Sequence, residues 1–158
     1  MNLPRDGTAY RYTALLLIIL LAIYITVVIR KYAKDKIYFH ITIIDFITYV
    51  KQQITFFCAP TNKIISEYTV PEIKNSGIFE EGGIDKNKYL DERGKKLMKD
   101  FFSKLGRSSA DDQIANCDYT IEAMNKLLDE YKEELPKKYK AYSTIALITG
   151  AMLVILLL

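Results

Sequence analysis

The sequence predicts an all-α protein: a helical cytoplasmic domain flanked by one transmembrane helix at each end. Three observations predict it. Residues 13–29 and 141–158 carry no charged side chain, so every charge falls in 1–12 or 30–140. Apolar residues in the middle recur at steps of three and four, the period of a helix with one buried face. The stretch 33–57 contains neither Gly nor Pro to interrupt such a helix. The 158 residues are 50% hydrophobic and 26% charged, and the abundance of Tyr, Phe and Ile excludes a disordered chain. A net charge of only +3, with the signs interleaved, excludes a strongly cationic nucleic-acid binder.

The first element is the apolar run Thr13–Ile29. As a helix its 17 residues rise about 26 Å, close to the ~30 Å of a hydrocarbon core. Tyr10, Tyr12 and Tyr32 flank it where interfacial aromatic residues belong. It is longer than the apolar region of a signal peptide, and Val27-Val28-Ile29-Arg30 offers no small residues for cleavage. Its counterpart, Ala141–Leu158, provides a second span. Arg30, Lys31, Lys34 and Lys36 follow the first run, and Lys132, Lys137, Lys138 and Lys140 precede the second, whereas the outer flanks hold only Arg5 and Arg11. Positive-inside bias therefore places 30–140 in the cytoplasm and both termini across the membrane.

Within 33–57 two patterns compete. Ile37–Ile44 is β-branched and aromatic, which favours a strand. Phe39, Ile43, Phe46, Val50, Ile54 and Phe57 instead follow helical spacing, and the reading adopted is a largely buried helix, with His40 as a hydrogen-bonded core histidine. Pro60 opens a new segment, in which Thr61 caps a short helix over 62–68 and Pro71 starts another. Asn75-Ser76-Gly77 and Gly82-Gly83 read as breaks. A helix then runs from Asp85 or Lys88 to Leu105, with Tyr89, Leu90, Leu97, Phe101 and Phe102 inward and Gly94 weakening it by about 1 kcal/mol relative to Ala. Gly106 suits the end of that helix, and Ser109 with Asp112 the start of the next. Ala110, Ile114, Cys117, Ile121, Met124, Leu128, Tyr131 and Leu135 form its narrow apolar seam, which packs on the domain's own helices in preference to a coiled-coil partner. Pro136 predicts a kink or short break before the second span.

Sites for chemistry are missing. There is no phosphate-cradling glycine loop, no HExxH and no GxSxG. Cys58 and His40 share an apolar stretch with no third group to orient them, and Cys58 and Cys117 form no CxxC. His40 is the single histidine, too few ligands for a structural zinc. No catalytic, cofactor or metal site is expected, and the reading is a membrane-anchored helical module that binds another protein. A rival reading is a small two-span membrane-active or lipid-binding protein.

Three stretches resemble the stage III sporulation protein AB family of endospore-forming bacteria. Gln53-Ile-Thr-Phe-Phe-Cys-Ala-Pro60-Thr61 is similar to a Glu-Ile…Thr-Pro-Leu stretch. Leu105-Gly106-Arg-Ser-Ser-Ala-Asp-Asp-Gln113 resembles a Leu-Gly-x-Ser-Asp-x-x-x-Gln turn. The tail from Lys140 through Tyr142 and Gly150 to Leu157 resembles a Lys-x-Tyr…Leu-Gly-x-x-x-Gly-Leu-Leu-Val-Ile-Leu-Leu ending. Gln53 stands in place of an acid, Thr61 of a Leu and Ala146 of a Gly. The resemblance implies a cytoplasmic domain similar to the helical domain of the inner-membrane platform protein of type II secretion systems. It also implies a scaffold role in the channel between mother cell and forespore, beside other membrane proteins of that channel. The implied partner is the complex's cytoplasmic ATPase, the AA protein. On such a scaffold the exposed carboxylates Glu67 with Glu72, and Glu80 with Glu81, are the candidate docking groups. Their alternative role is ordinary solvated surface.

Overall fold

A computed structural model describes residues 6–57 and 60–157; Arg5, Cys58 and Leu158 lie outside them. Six helices follow one another: α1 Asp6–Phe57, α2 Thr61–Glu67, α3 Pro71–Lys74, α4 Gly83–Lys86, α5 Glu92–Lys104 and α6 Ala110–Leu157. No strand occurs among the described residues. The chain divides into two compact units, one of residues 1–34 with 133–158 and one of residues 35–132. Both long helices contribute to both units.

The run of β-branched residues at 37–44 is helical inside α1. Tertiary burial overrides local strand preference here: Phe39, Ile43, Phe46, Ile47 and Val50 are all buried on one face. Fully burying each such side chain contributes roughly 1.5–3 kcal/mol. The spacing fails at its last member, since Phe57 is 69% exposed at the helix end.

Phe46 is the hub of the 35–132 unit. Its ring meets those of Tyr68, Phe79, Phe101 and Phe102 at centroid distances of 4.9–6.4 Å, edge-on or tilted as ring quadrupoles prefer. Two contacts fix α1 against α6. His40 meets Tyr131, and Lys51 Nζ lies 2.6 Å from Asp118 Oδ1. Residue numbers rise on one helix as they fall on the other, so the two run antiparallel within this unit.

Several expectations about the connecting segments need correction. Thr61 is the first residue of α2 and not its cap; Pro60 precedes the helix and provides no side-chain cap. Pro71 does open α3. The single helix expected from Asp85 or Lys88 is divided in two. Asn87 breaks it, because its side-chain oxygen accepts the N–H groups of Tyr89 (2.9 Å) and Leu90 (3.3 Å), a local turn that competes with helix. Asp91 then caps α5, accepting the Gly94 N–H at 2.8 Å. Gly94 has a packing reason: a Cβ there would stand 3.1 Å from Leu90 Cδ2. Leu90 and Phe101 are buried as expected, while Tyr89, Leu97 and Phe102 are half-buried and Met98 is fully buried.

α6 starts as the sequence indicates. The Asp112 N–H donates to Ser109 Oγ, whose hydroxyl donates to Asp112 Oδ2 at 2.7 Å. Gly106, at φ +76°, ends the preceding helix. Gln113 clasps that turn, accepting the Gly106 N–H and donating to the Ser108 carbonyl, both at 2.9 Å. The buried stripe of α6 is Cys117, Thr120, Met124, Leu127, Leu128, Tyr131 and Leu135. Ala110 is exposed and Ile114 and Ile121 are half-buried, so the true stripe is rotated relative to the expected seam. Of the kink or short break expected at Pro136, the break does not occur: α6 passes through it unbroken. Proline removes one N–H and crowds the preceding turn, yet a long helix can absorb this as a bend without ending.

In the other unit, Ala22 and Ser143 are buried and a Cβ on Gly150 would lie 3.4 Å from Ala22 Cβ. These small residues let two helix backbones approach closely. Around them Leu17, Ile23, Leu147, Ile148 and Ile155 are half or more exposed. So large an apolar surface needs a lipid or protein covering. Among the described residues one helix, in the Tyr12–Phe57 part of α1, is long and apolar enough to cross a membrane.

Candidate partner-binding site

The four carboxylates singled out from sequence are all exposed, but they form two different settings. Glu67 ends α2 and stands 3.7 Å from Lys63, one turn earlier. Glu72 lies in the first turn of α3, where a negative charge suits the helix dipole. Among the described residues it closes no ion pair. Among the described residues no hydrogen bond or ion pair joins the four acids to one another.

Glu80 and Glu81 sit on a closed turn. The Glu80 N–H donates to the Gly77 carbonyl and the Gly83 N–H to the Glu80 carbonyl, each at 2.9 Å. Gly77 and Gly82 adopt φ +69° and +70°, a region open to glycine at little strain. Gly83 is demanded by space: a Cβ there would fall 1.7 Å from the Gly77 carbonyl oxygen. The glycines that read as breaks in the sequence therefore build a fixed platform for two adjacent carboxylates. A charge held on a fixed turn loses little conformational entropy on meeting an opposite charge.

Glu72 also belongs to a groove of about 560 Å³ whose lining includes Asp35, Tyr38, Asn75, Lys86 and Lys88. Sequence inspection could not find it. Its members come from three separated stretches, and only tertiary packing unites them.

His40 is fully buried. Its Nδ1 donates to the Lys36 carbonyl at 2.8 Å, so in the neutral ring Nε2 carries the lone pair, which has no partner. Burial lowers the imidazole below its ordinary value, and the Lys36 charge adds to this; the Lys36 carbonyl and Asp91 oppose it without prevailing. Tyr131 packs edge-on to the imidazole at 4.8 Å, with the Lys36 ammonium 4.3 Å from its ring centre. Burial, then Asp91, raises the Tyr131 phenol. The hydroxyl itself closes no hydrogen bond of good geometry, so its tie to Asp91 is electrostatic. Burial alone would raise the Asp91 carboxyl, but Tyr131, the Gly94 N–H and the Arg93 charge together hold it below its ordinary value.

This cluster joins α1, α5 and α6, and no third group turns His40 toward a nucleophile. Cys117 is buried and burial pushes its thiol up to about 11, the state of an unreactive structural cysteine. No group of three or more His, Cys, Asp or Glu able to hold a metal occurs among the described residues.

The family model for stage III sporulation protein AB matches residues 76–158, from the Glu80–Glu81 turn through α4, α5 and α6. No curated protein and no solved structure matches the chain. The Gln113 clasp on the Gly106 turn, the Gly83 platform and the Gly150 contact with Ala22 all place a structural requirement on a residue of the matched stretch. That stretch covers more than half of the sequence, and the chain belongs to the stage III sporulation protein AB family.

Proposed function

We propose that this protein is a non-catalytic membrane scaffold of endospore formation, held by two spans, that docks the cytoplasmic ATPase of its complex and joins other membrane proteins of a mother cell–forespore channel. Family membership supports the sporulation role. The apolar part of α1 supports membrane attachment, and the close Gly150–Ala22 contact supports a second span paired with the first. The basic residues after Ile29 and before Ala141 support a cytoplasmic location for the unit between the spans.

The observation that carries the docking reading is the Glu80–Glu81 turn. It lies within the family match, is fixed by Gly83 against Gly77, and carries two exposed acidic residues that close no ion pair among the described residues. An ATPase without a membrane anchor needs a rigid surface beside the bilayer, and Lys or Arg side chains on it would be steered by these charges. Capture of the complex's ATPase by the full chain in detergent tests this. Capture should weaken at high salt, and the double change Glu80→Lys with Glu81→Lys should weaken it at low salt with the melting temperature unchanged. Capture that is indifferent to both would remove the turn from the interface.

A further inference from the structure

The groove beside Glu72 combines features the docking role does not use. Asp35 and Glu72 supply carboxylates, Lys86 and Lys88 supply ammonium groups, and Tyr38 and Tyr89 supply aromatic surface. Among the described residues Asp35, Glu72 and Lys86 close no ion pair, although charges of both signs line one cavity. Lys88 lies over the Tyr89 ring at 4.9 Å.

The walls are fixed by the backbone. Asn87 anchors the Lys88–Leu90 segment through its two accepted N–H groups, the Asn75 N–H donates to the Pro71 carbonyl at 2.8 Å, and Tyr89 leans on Phe39 at 5.4 Å. Carboxylates and ammonium groups that line one preformed frame suit a ligand that carries both signs. A volume of about 560 Å³ is that of a small-molecule site and too small for a folded partner.

We propose that this groove binds a phosphoethanolamine zwitterion, its ammonium between Asp35 and Glu72 against the tyrosine rings and its phosphate toward Lys86 and Lys88. Carboxylates and ring faces attract an ammonium, and lysines act as point charges for phosphate. The source the chain favours is the headgroup of a phosphatidylethanolamine. Among the described residues α1 contains the helical stretch long and apolar enough to cross a membrane, and Asp35 belongs to that same helix. This source rests on the reading of residues 13–29 as a membrane span; the ligand chemistry does not, and neither requires the ATPase.

Native mass spectrometry of the full chain in dodecyl maltoside tests it, with equimolar phosphatidylethanolamine and phosphatidylglycerol and with or without free O-phosphoethanolamine. Phosphatidylethanolamine should be retained in preference to phosphatidylglycerol and displaced by O-phosphoethanolamine. Glu72→Gln and Lys86→Gln should each lower its retention roughly three- to fivefold, with melting temperatures unchanged because both side chains are exposed. Unchanged retention in both variants, or equal retention of the two lipids with no binding of free O-phosphoethanolamine, would overturn the site. Binding of free O-phosphoethanolamine with no lipid preference would overturn the bilayer as its source.

Discussion

The imidazole of His40 on α1 stands edge-on to the ring of Tyr131 on α6, with 4.8 Å between centroids and an interplanar angle of 71°. Burial keeps the imidazole neutral, and the Lys36 ammonium beside the same phenol ring opposes a second positive charge. The pair ties together the helices that continue from and into the two apolar segments of the chain.

Acid should loosen this tie. The folded imidazole titrates below the ordinary 6.5, so between the two values the unfolded chain binds the extra proton. The stabilisation is complete above about pH 6.5 and is lost as pH falls through the folded value. Melting temperature followed from pH 7.5 to 5 should fall in the native protein and fall much less in His40→Leu. Parallel curves would mean that His40 is not the titrating group. Asp91, held below its ordinary 3.8, adds a separate loss only as pH drops through its own lower value.

The core of α6 is rotated from the stripe that simple spacing selects. Met124 is fully buried while Ile121 is half-buried. Met124→Ala should therefore cost about 2–5 kcal/mol and Ile121→Ala distinctly less, by urea unfolding of the full chain in detergent. Asp118→Asn, which breaks the part-exposed pair with Lys51, should cost no more than ~1 kcal/mol. Equal costs for Met124 and Ile121 would restore the unrotated stripe.

Helical spacing made the buried face of α1 legible, because Phe39, Ile43, Phe46 and Val50 form a simple repeat with no polar competitor. The start of α6 was equally readable from Ser109 and Asp112, whose hydrogen bonds are local. The split at Asn87 was not, since an asparagine turn and a helix interior differ only in which N–H groups the side chain captures. Nor was the passage of α6 through Pro136, where a penalty of about 3 kcal/mol is set against the packing of a 48-residue helix. The four acids were found as exposed residues, but what distinguishes Glu80 and Glu81 is the Gly83–Gly77 contact, which joins residues six apart through a fold of the backbone.

The glycine platform gives a paired test. Gly83→Ala forces a Cβ into the Gly77 carbonyl and should destabilise by about 1–3 kcal/mol or more, with weaker ATPase capture. Gly82→Ala has open space around it and strain only from its positive φ, about 1–2 kcal/mol. Chemical denaturation should rank Gly83→Ala as the more damaging change; the reverse order would mean that the turn is not closed as described.

Cys117 should be silent to thiol reagents at neutral pH. Burial, aided by Asp118, raises its thiol to about 11. In a Cys58→Ser background, maleimide should leave the folded chain unmodified and label it once in urea. Rapid labelling of the folded chain would show that the α1–α6 packing opens readily.

The proposed scaffold requires residues 30–140 to lie in the cytoplasm between two membrane spans. The direct measurement is accessibility of single introduced cysteines, in a chain with Cys58 and Cys117 changed to Ser, to a membrane-impermeant maleimide on intact cells. A cysteine replacing Asn2 should be labelled from outside, and one replacing the exposed Glu81 should be labelled only after permeabilisation. Labelling of the Glu81 position in intact cells would place the helical unit outside and contradict both the topology and the docking of a cytoplasmic ATPase.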